Sequence, residues 1–209
     1  MYSKRALKSA TIRYNMISYV LKASSTKAFE DVHIIDICRS AGVSKVTFFK
    51  YFKQKEDIFL YYKGLLSLSL AVQVSNKKLQ GVNGLNKVIS HFTTEFKERP
   101  SLILGLVAKL NIGGAPFKPM RITPAEKHLF YPEIDFENIE VLSLDQMIDK
   151  FMLESVLNGQ VKSTSNVNEL ATVFLSTLYG AIVNSHLKND NAEKHLFQNT
   201  MRNLMILIR

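Results

Sequence analysis

An all-α fold in two parts is predicted by three observations. Apolar residues recur at helical rather than strand spacing along most of the 209 residues. Residues 34–52 read as a helix, a three-to-four-residue turn and a second short helix. Positive charge gathers at one end: residues 1–63 hold twelve of the 27 Lys and Arg against five of the 18 Asp and Glu, and so most of the net charge of +9. A hydrophobic content of 46% lets the chain bury a sizeable core. Its length suits a small domain joined to a larger one. A charge excess confined to one domain points to an anionic partner, nucleic acid or lipid headgroups.

The first helix is expected from about Lys8 to Ser24, with Ile12, Met16, Tyr19, Val20 and Ala23 as its buried stripe. After a connector at 25–32, Ile34, Ile37, Cys38 and Ala41 form one apolar helix face. Gly42 follows, suited to the positive φ of a helix end. Ser44 can cap the next helix by accepting from the amide of Val46 or Thr47. There Phe48 and Phe52 share an anchoring face, turning Val46, Thr47, Phe49 and Lys50 outward. In a DNA major groove Thr47 can bond a base edge, Val46 can touch a thymine methyl, and Lys50 can meet a phosphate or guanine. Taken alone, the segment fits an ordinary helical hairpin equally well. A fourth helix starts near Lys55-Glu56-Asp57, acids in its first turn, and runs to about Val74.

Gly81-Val82-Asn83-Gly84 is expected to break the pattern before a helix at about Leu85–Lys97. Arg99-Pro100 opens the next, which Asn111–Pro116 ends. Residues 113–142, with four prolines, are the least regular; Thr123-Pro124-Ala125-Glu126 reads as a capping box inside them. Further helices are expected at about Ser143–Asn158, with Gly159 as its cap, at Asn168–Lys188 and at Ala192–Ile208.

From Asp36 through Asp57 the sequence DICRSAGVSKVTFFKYFKQKED resembles the DNA-binding domain of the tetracycline-repressor (TetR) family, whose pattern there is roughly D-I-A-x-x-A-G-V-S-x-G-T-x-Y-x-Y-F-x-S-K-E-x-L. The resemblance covers about fifty residues and favours DNA binding over the plain hairpin. It implies a helix-turn-helix domain at 1–54 and a helical effector-binding and dimerisation domain at 55–209. It also implies that Ser44, Lys45, Val46 and Thr47 lie at the groove end of the recognition helix, that Phe49, Lys50 and Tyr51 flank it, and that Lys55 contacts the DNA backbone. Val46 stands where the family usually has glycine, and Phe49 where a tyrosine is common. His33 replaces a Ser/Thr cap and is free to reach a phosphate instead; Gln54 replaces a serine cap. Ala28 takes the place of a frequent glycine.

The five histidines show no metal spacing and no cysteine partners, so neither a metal nor a cofactor is expected. No nucleophile–base set can be argued from spacing, which speaks against an enzyme. An apolar cavity in the middle helices would draw on His91, Phe92, Phe96, Leu106, Met120, Met147 and Phe151, although core packing explains most of them. Phe174, Leu178 and Ala181, with Phe197, Met201 and Leu204, form stripes on the last two helices that either complete a monomer core or, as the resemblance implies, pair two subunits. A single cysteine, Cys38, and no visible secretory signal fit the cytoplasm, and the longest apolar run, near Leu102–Leu110, is too short for a membrane span. The resulting expectation is a homodimeric repressor that binds a palindromic operator on double-stranded DNA and is released by a small-molecule effector, with no membrane partner. An activator or architectural DNA binder is the first alternative. A helical ligand-binding or enzymatic protein with a membrane-associating head is the second.

Overall fold

A computed structural model describes residues 2–112, 120–161, 166–188 and 195–208. The described residues form ten α-helices and one 3-10 turn, with no strand among them. In order these are α1 Lys4–Ala23, the 3-10 turn Phe29–Asp31, α2 Ile34–Ala41, α3 Lys45–Tyr51 and α4 Asp57–Lys77. There follow α5 Gly81–Glu98, α6 Pro100–Ile112, α7 Pro124–Phe130, α8 Leu144–Leu157, α9 Val167–Leu187 and α10 His195–Leu207. The expected break at 113–116 and the start of the last helix at 192–194 lie outside the described residues.

The chain divides into two units, residues 1–65 with 99–138, and residues 66–98 with 139–209. In the first, α1 packs on α2 and α7, α2 on α3, and α6 on the 3-10 turn. Helix α1 begins a turn earlier than expected because Ser3 caps it, accepting from the Ala6 amide at 3.2 Å. Its buried stripe is Ala10, Met16, Ile17 and Val20, rotated from the expected one so that Ile12, Tyr19 and Ala23 are half-buried. The expected capping box is present, and a second, not singled out from the sequence, joins it. Thr123 and Glu126 start α7, and Ser143 and Gln146 start α8.

In the second unit α5, α8, α9 and α10 form a closed cycle, each packed on two of the others. Helix α5 starts at Gly81, not beyond Gly84, because α8 and its end supply its caps. The Gly81 amide donates to Glu154 Oε2 at 2.8 Å and the Val82 amide to Gln160 Oε1 at 3.2 Å. Gly84 thus lies inside a helix, where a Cβ would overlap the buried Phe151 ring. That close approach, not a turn, is why the position holds glycine.

Two helices, α4 and α9, are long and apolar enough to cross a membrane by length and composition. Scattered polar residues such as Ser67, Gln73, Thr172 and Ser176 hid this from a search for one unbroken apolar run. In α4 61% of the most apolar window is buried within the protein, and in α9 only 33%.

Gly84→Ala is expected to lower the stability to denaturant by about 1–3 kcal/mol through overpacking against Phe151, although alanine is the better helix former. Equilibrium denaturation checks this, and an unchanged or raised midpoint would contradict the contact.

Candidate nucleic-acid interface

Helix α2 ends at Gly42, whose φ of 65° lies in the left-handed region, and the Val43 amide returns to the Cys38 carbonyl at 2.9 Å. Cys38 and Ile37 are buried on the inner face of α2, and burial pushes the Cys38 thiol above its usual pKa. Ser44 then caps α3, its Oγ accepting from the Thr47 amide at 3.2 Å and lying 3.1 Å from Thr47 Oγ1. Phe48 and Phe52 are fully buried, their rings 5.5 Å apart, with Phe52 edge-on to Tyr61 of α4. Anchored on that side, α3 exposes Lys45, Val46, Phe49 and Lys50. Val46 is 68% and Phe49 47% exposed, apolar side chains left in water on a helix whose Phe48 is fully buried.

Other expected contacts are placed differently. The Tyr51 hydroxyl donates to Ser9 Oγ on α1 at 3.2 Å, so this side chain fastens α3 to α1. Lys55 precedes α4 and donates to the Glu30 carbonyl at 3.0 Å, its ammonium 4.5 Å from the centre of the Phe29 ring. Burial lowers its pKa, against the opposing pull of Glu56, Glu30 and Asp31. Of its three protons one is committed to the turn, which leaves donors for a phosphate. His33 is exposed at the start of α2 and makes no side-chain cap. Gln54 is likewise no cap for α4; instead Asp57 reaches back to the Gln54 amide at 3.3 Å and side chain at 3.1 Å.

Behind the exposed face lies a buried charge cluster that the sequence reading did not single out. Arg13 Nε on α1 is 2.7 Å from Glu126 Oε1 on α7, and Glu126 is wholly buried. The same oxygen accepts from the Tyr61 hydroxyl at 2.9 Å, while Oε2 accepts from the Thr123 amide at 2.7 Å. The Arg13 guanidinium lies 5.2 Å from the centre of the Tyr61 ring and 5.7 Å from that of Tyr51. Burial, and then the Glu126 carboxylate, push the Tyr61 phenol far above its ordinary pKa, so it stays a donor. The available signal was an arginine at a core-facing position of the first helix, between Ala10 and Met16.

A profile of the bacterial regulatory proteins of the tetR family matches residues 22–62, the span from the end of α1 through the turn and α3 into α4. The likeness to the tetR family therefore lies in the head, over the residues that carry the helix-turn-helix. Several solved structures share the whole fold. The regulatory protein TetR from Rhodobacter sphaeroides is 16% identical, covering 93% of this chain and 97% of its own, with a TM-score of 0.59. The fatty acid degradation regulator FadR from Bacillus halodurans is 14% identical, covering 93% and 98%, with a TM-score of 0.60. FadR from Thermus thermophilus, a TetR-family repressor solved with lauroyl-CoA, is 15% identical, covering 95% and 93%, also with a TM-score of 0.60. No curated protein matches the sequence.

Beyond the head the expected site residues are divided. His91, Phe92, Phe96, Met147 and Phe151 are buried in the second unit, whereas buried Leu106 and half-buried Met120 belong to the first. His91 Nδ1 lies 3.4 Å from Gln73 Nε2, which donates to Ser69 at 2.9 Å. Phe96 packs edge-on against Phe197. None of these residues lines the groove of about 320 Å³ between α5 and α10, which runs past Ile89, Thr93, Arg202 and Met205. Phe174, Leu178, Ala181, Phe197, Met201 and Leu204, which the family resemblance offered as a subunit interface, are all buried within the single chain. They complete the protomer's own core. Among the described side chains of these helices, the large apolar ones left exposed are Val173, Val183, Leu187 and Ile206.

Because folding raises the Tyr61 pKa, the stability tied to its protonated form is full below about pH 10 and is lost as the pH rises beyond that. Tyr61→Phe is therefore expected to flatten the alkaline fall in stability between pH 9 and pH 11, read from denaturant midpoints. An alkaline fall identical to the parent's would contradict this.

Proposed function

We propose that the chain is a sequence-specific transcriptional repressor that inserts α3 into the major groove of a palindromic operator and leaves it when a small effector binds. The observation that carries the reading is the exposed face of α3. Lys45, Val46, Phe49 and Lys50 lie together on a helix capped by Ser44 and anchored by Phe48 and Phe52. The concentration of positive charge in residues 1–63 supports a polyanionic partner. In this reading residues 1–54 form the DNA-binding domain and residues 55–209 the effector-binding and dimerisation domain. Thr47 and Val46 read base edges, Lys45 and Lys50 meet guanine or phosphate, and Lys55 and His33 add backbone contacts.

The second subunit of a symmetric dimer would pack along α9. Val173, Gly180 and Leu187 recur every seven residues, one stripe of a helix. A Cβ at Gly180 would meet nothing within 4 Å, so packing within the protomer does not require glycine there. A helix-interior glycine that costs about 1 kcal/mol relative to alanine fits the close approach of another helix. The effector would lie against the buried apolar residues of the helices at 85–158, His91, Phe92, Phe96, Met147 and Phe151 foremost. Because a fold relative from Thermus binds lauroyl-CoA, medium- and long-chain acyl thioesters are the first compounds to test.

Selection from a random duplex pool is expected to return an inverted repeat whose half-sites lie about 34–36 Å apart or a multiple of that. Against that duplex Thr47→Val should cost about 1–3 kcal/mol at one base position. Lys55→Ala should weaken all sequences alike and reduce the salt slope by about one. Matching profiles for the two variants would refute the division of roles, and a pool that yields no enriched sequence would refute the function.

Val173→Glu combined with Leu187→Glu is expected to yield a folded monomer by analytical ultracentrifugation, since both side chains are exposed in the protomer. A double variant as dimeric as the parent would remove α9 from the interface.

A further inference from the structure

We propose that Glu126 is a positioning residue for DNA recognition: held against Arg13, it fixes where the end of α3 sits, so α7 governs operator affinity without touching DNA. The inference rests on the DNA-binding reading above and adds a residue outside the recognition motif.

The two capping boxes of this chain supply the first argument. At α8 the reaching side chain is Gln146, neutral and exposed. At α7 it is Glu126, charged and fully buried. Capping needs only an acceptor at the helix start, which the exposed glutamine provides. A buried carboxylate needs a countercharge and further donors, and it has them in Arg13 at 2.7 Å and the Tyr61 hydroxyl at 2.9 Å.

Arg13 is the intermediary. Its guanidinium is a rigid plane, and with Nε held by Glu126 its cationic carbon lies over both tyrosine rings, at 5.2 Å from Tyr61 and 5.7 Å from Tyr51. Tyr61 belongs to α4, while Tyr51 is the last residue of α3. The Tyr51 hydroxyl is tied to Ser9, one turn before Arg13 on α1, so the recognition helix is gripped at both ends of one side chain. Removing the carboxylate leaves an unpaired guanidinium free to swing, and with it goes one wall of the Tyr51 site. The Tyr14 and Phe130 rings, 4.8 Å apart, independently hold α1 to α7, so α7 can stay docked while this grip is lost.

Three variants separate positioning from simple support: Glu126→Gln, Arg13→Met, and the two combined. Each is measured for helix content, thermal midpoint, and affinity for the duplex that the parent selects from a random pool, with its salt slope. Glu126→Gln is expected to weaken specific binding by about tenfold or more, with an unchanged salt slope because no phosphate contact is lost. In the double variant the stranded charge is gone, so thermal stability should recover while affinity stays low. Recovery of affinity in step with stability would show mere structural support and overturn the proposal, as would a Glu126→Gln protein that binds like the parent. Should Glu126→Gln fail to fold, the double variant alone decides, since its affinity is read on a protein relieved of the unpaired charge. A parent protein that selects no duplex would instead remove the DNA-binding reading, and this proposal with it.

Discussion

The ion pair between Arg13 and Glu126 is the interaction on which the first unit depends. A pair out of water gains little net stability, since desolvation offsets attraction, but stranding one partner costs about 3–5 kcal/mol. Its value is in arrangement. Helices α3 and α7 have seven residues each, far below the length at which a helix stands alone in water. Both are helical here because side chains from elsewhere hold them. Phe48, Phe52 and Tyr51 fasten α3, and Glu126 and Phe130 fasten α7. One guanidinium touches both sets.

What the sequence made legible was what local chemistry decides. Gly42 in the left-handed region, Ser44 as a cap, Phe48 and Phe52 on the buried side, and the box at Thr123 all depend on residues within four positions of each other. The misplaced features depend on distant partners. Gly81 and Gly84 read as a break because nothing nearby shows that Glu154 and Gln160 cap the helix or that Phe151 fills the space over Gly84. Tyr51 and Lys55 carry chemistry suited to phosphate, and only the fold reveals Ser9 and the Glu30 carbonyl as their partners.

The stripes on α9 and α10 teach a related lesson. Periodicity identifies which face of a helix is buried, and Phe174, Leu178 and Met201 are indeed buried, but it does not say against what. In a bundle the regular apolar stripe belongs to the protomer. What remains for an outside partner is the sparser set at Val173, Val183 and Leu187, interrupted by polar residues and hard to see as a pattern. The body of the chain therefore resembles its structural relatives in fold, while the head alone carries a family sequence.

The buried Cys38 has a consequence for how this head can be observed. It is the chain's one cysteine, it lies on the buried face of α2, and burial favours its unreactive thiol form. A thiol-modifying reagent can reach it only when α2 parts from the helices packed on it. The rate of alkylation is thus a clock for opening of the head, blind to motion elsewhere in the chain, and it needs no engineered label.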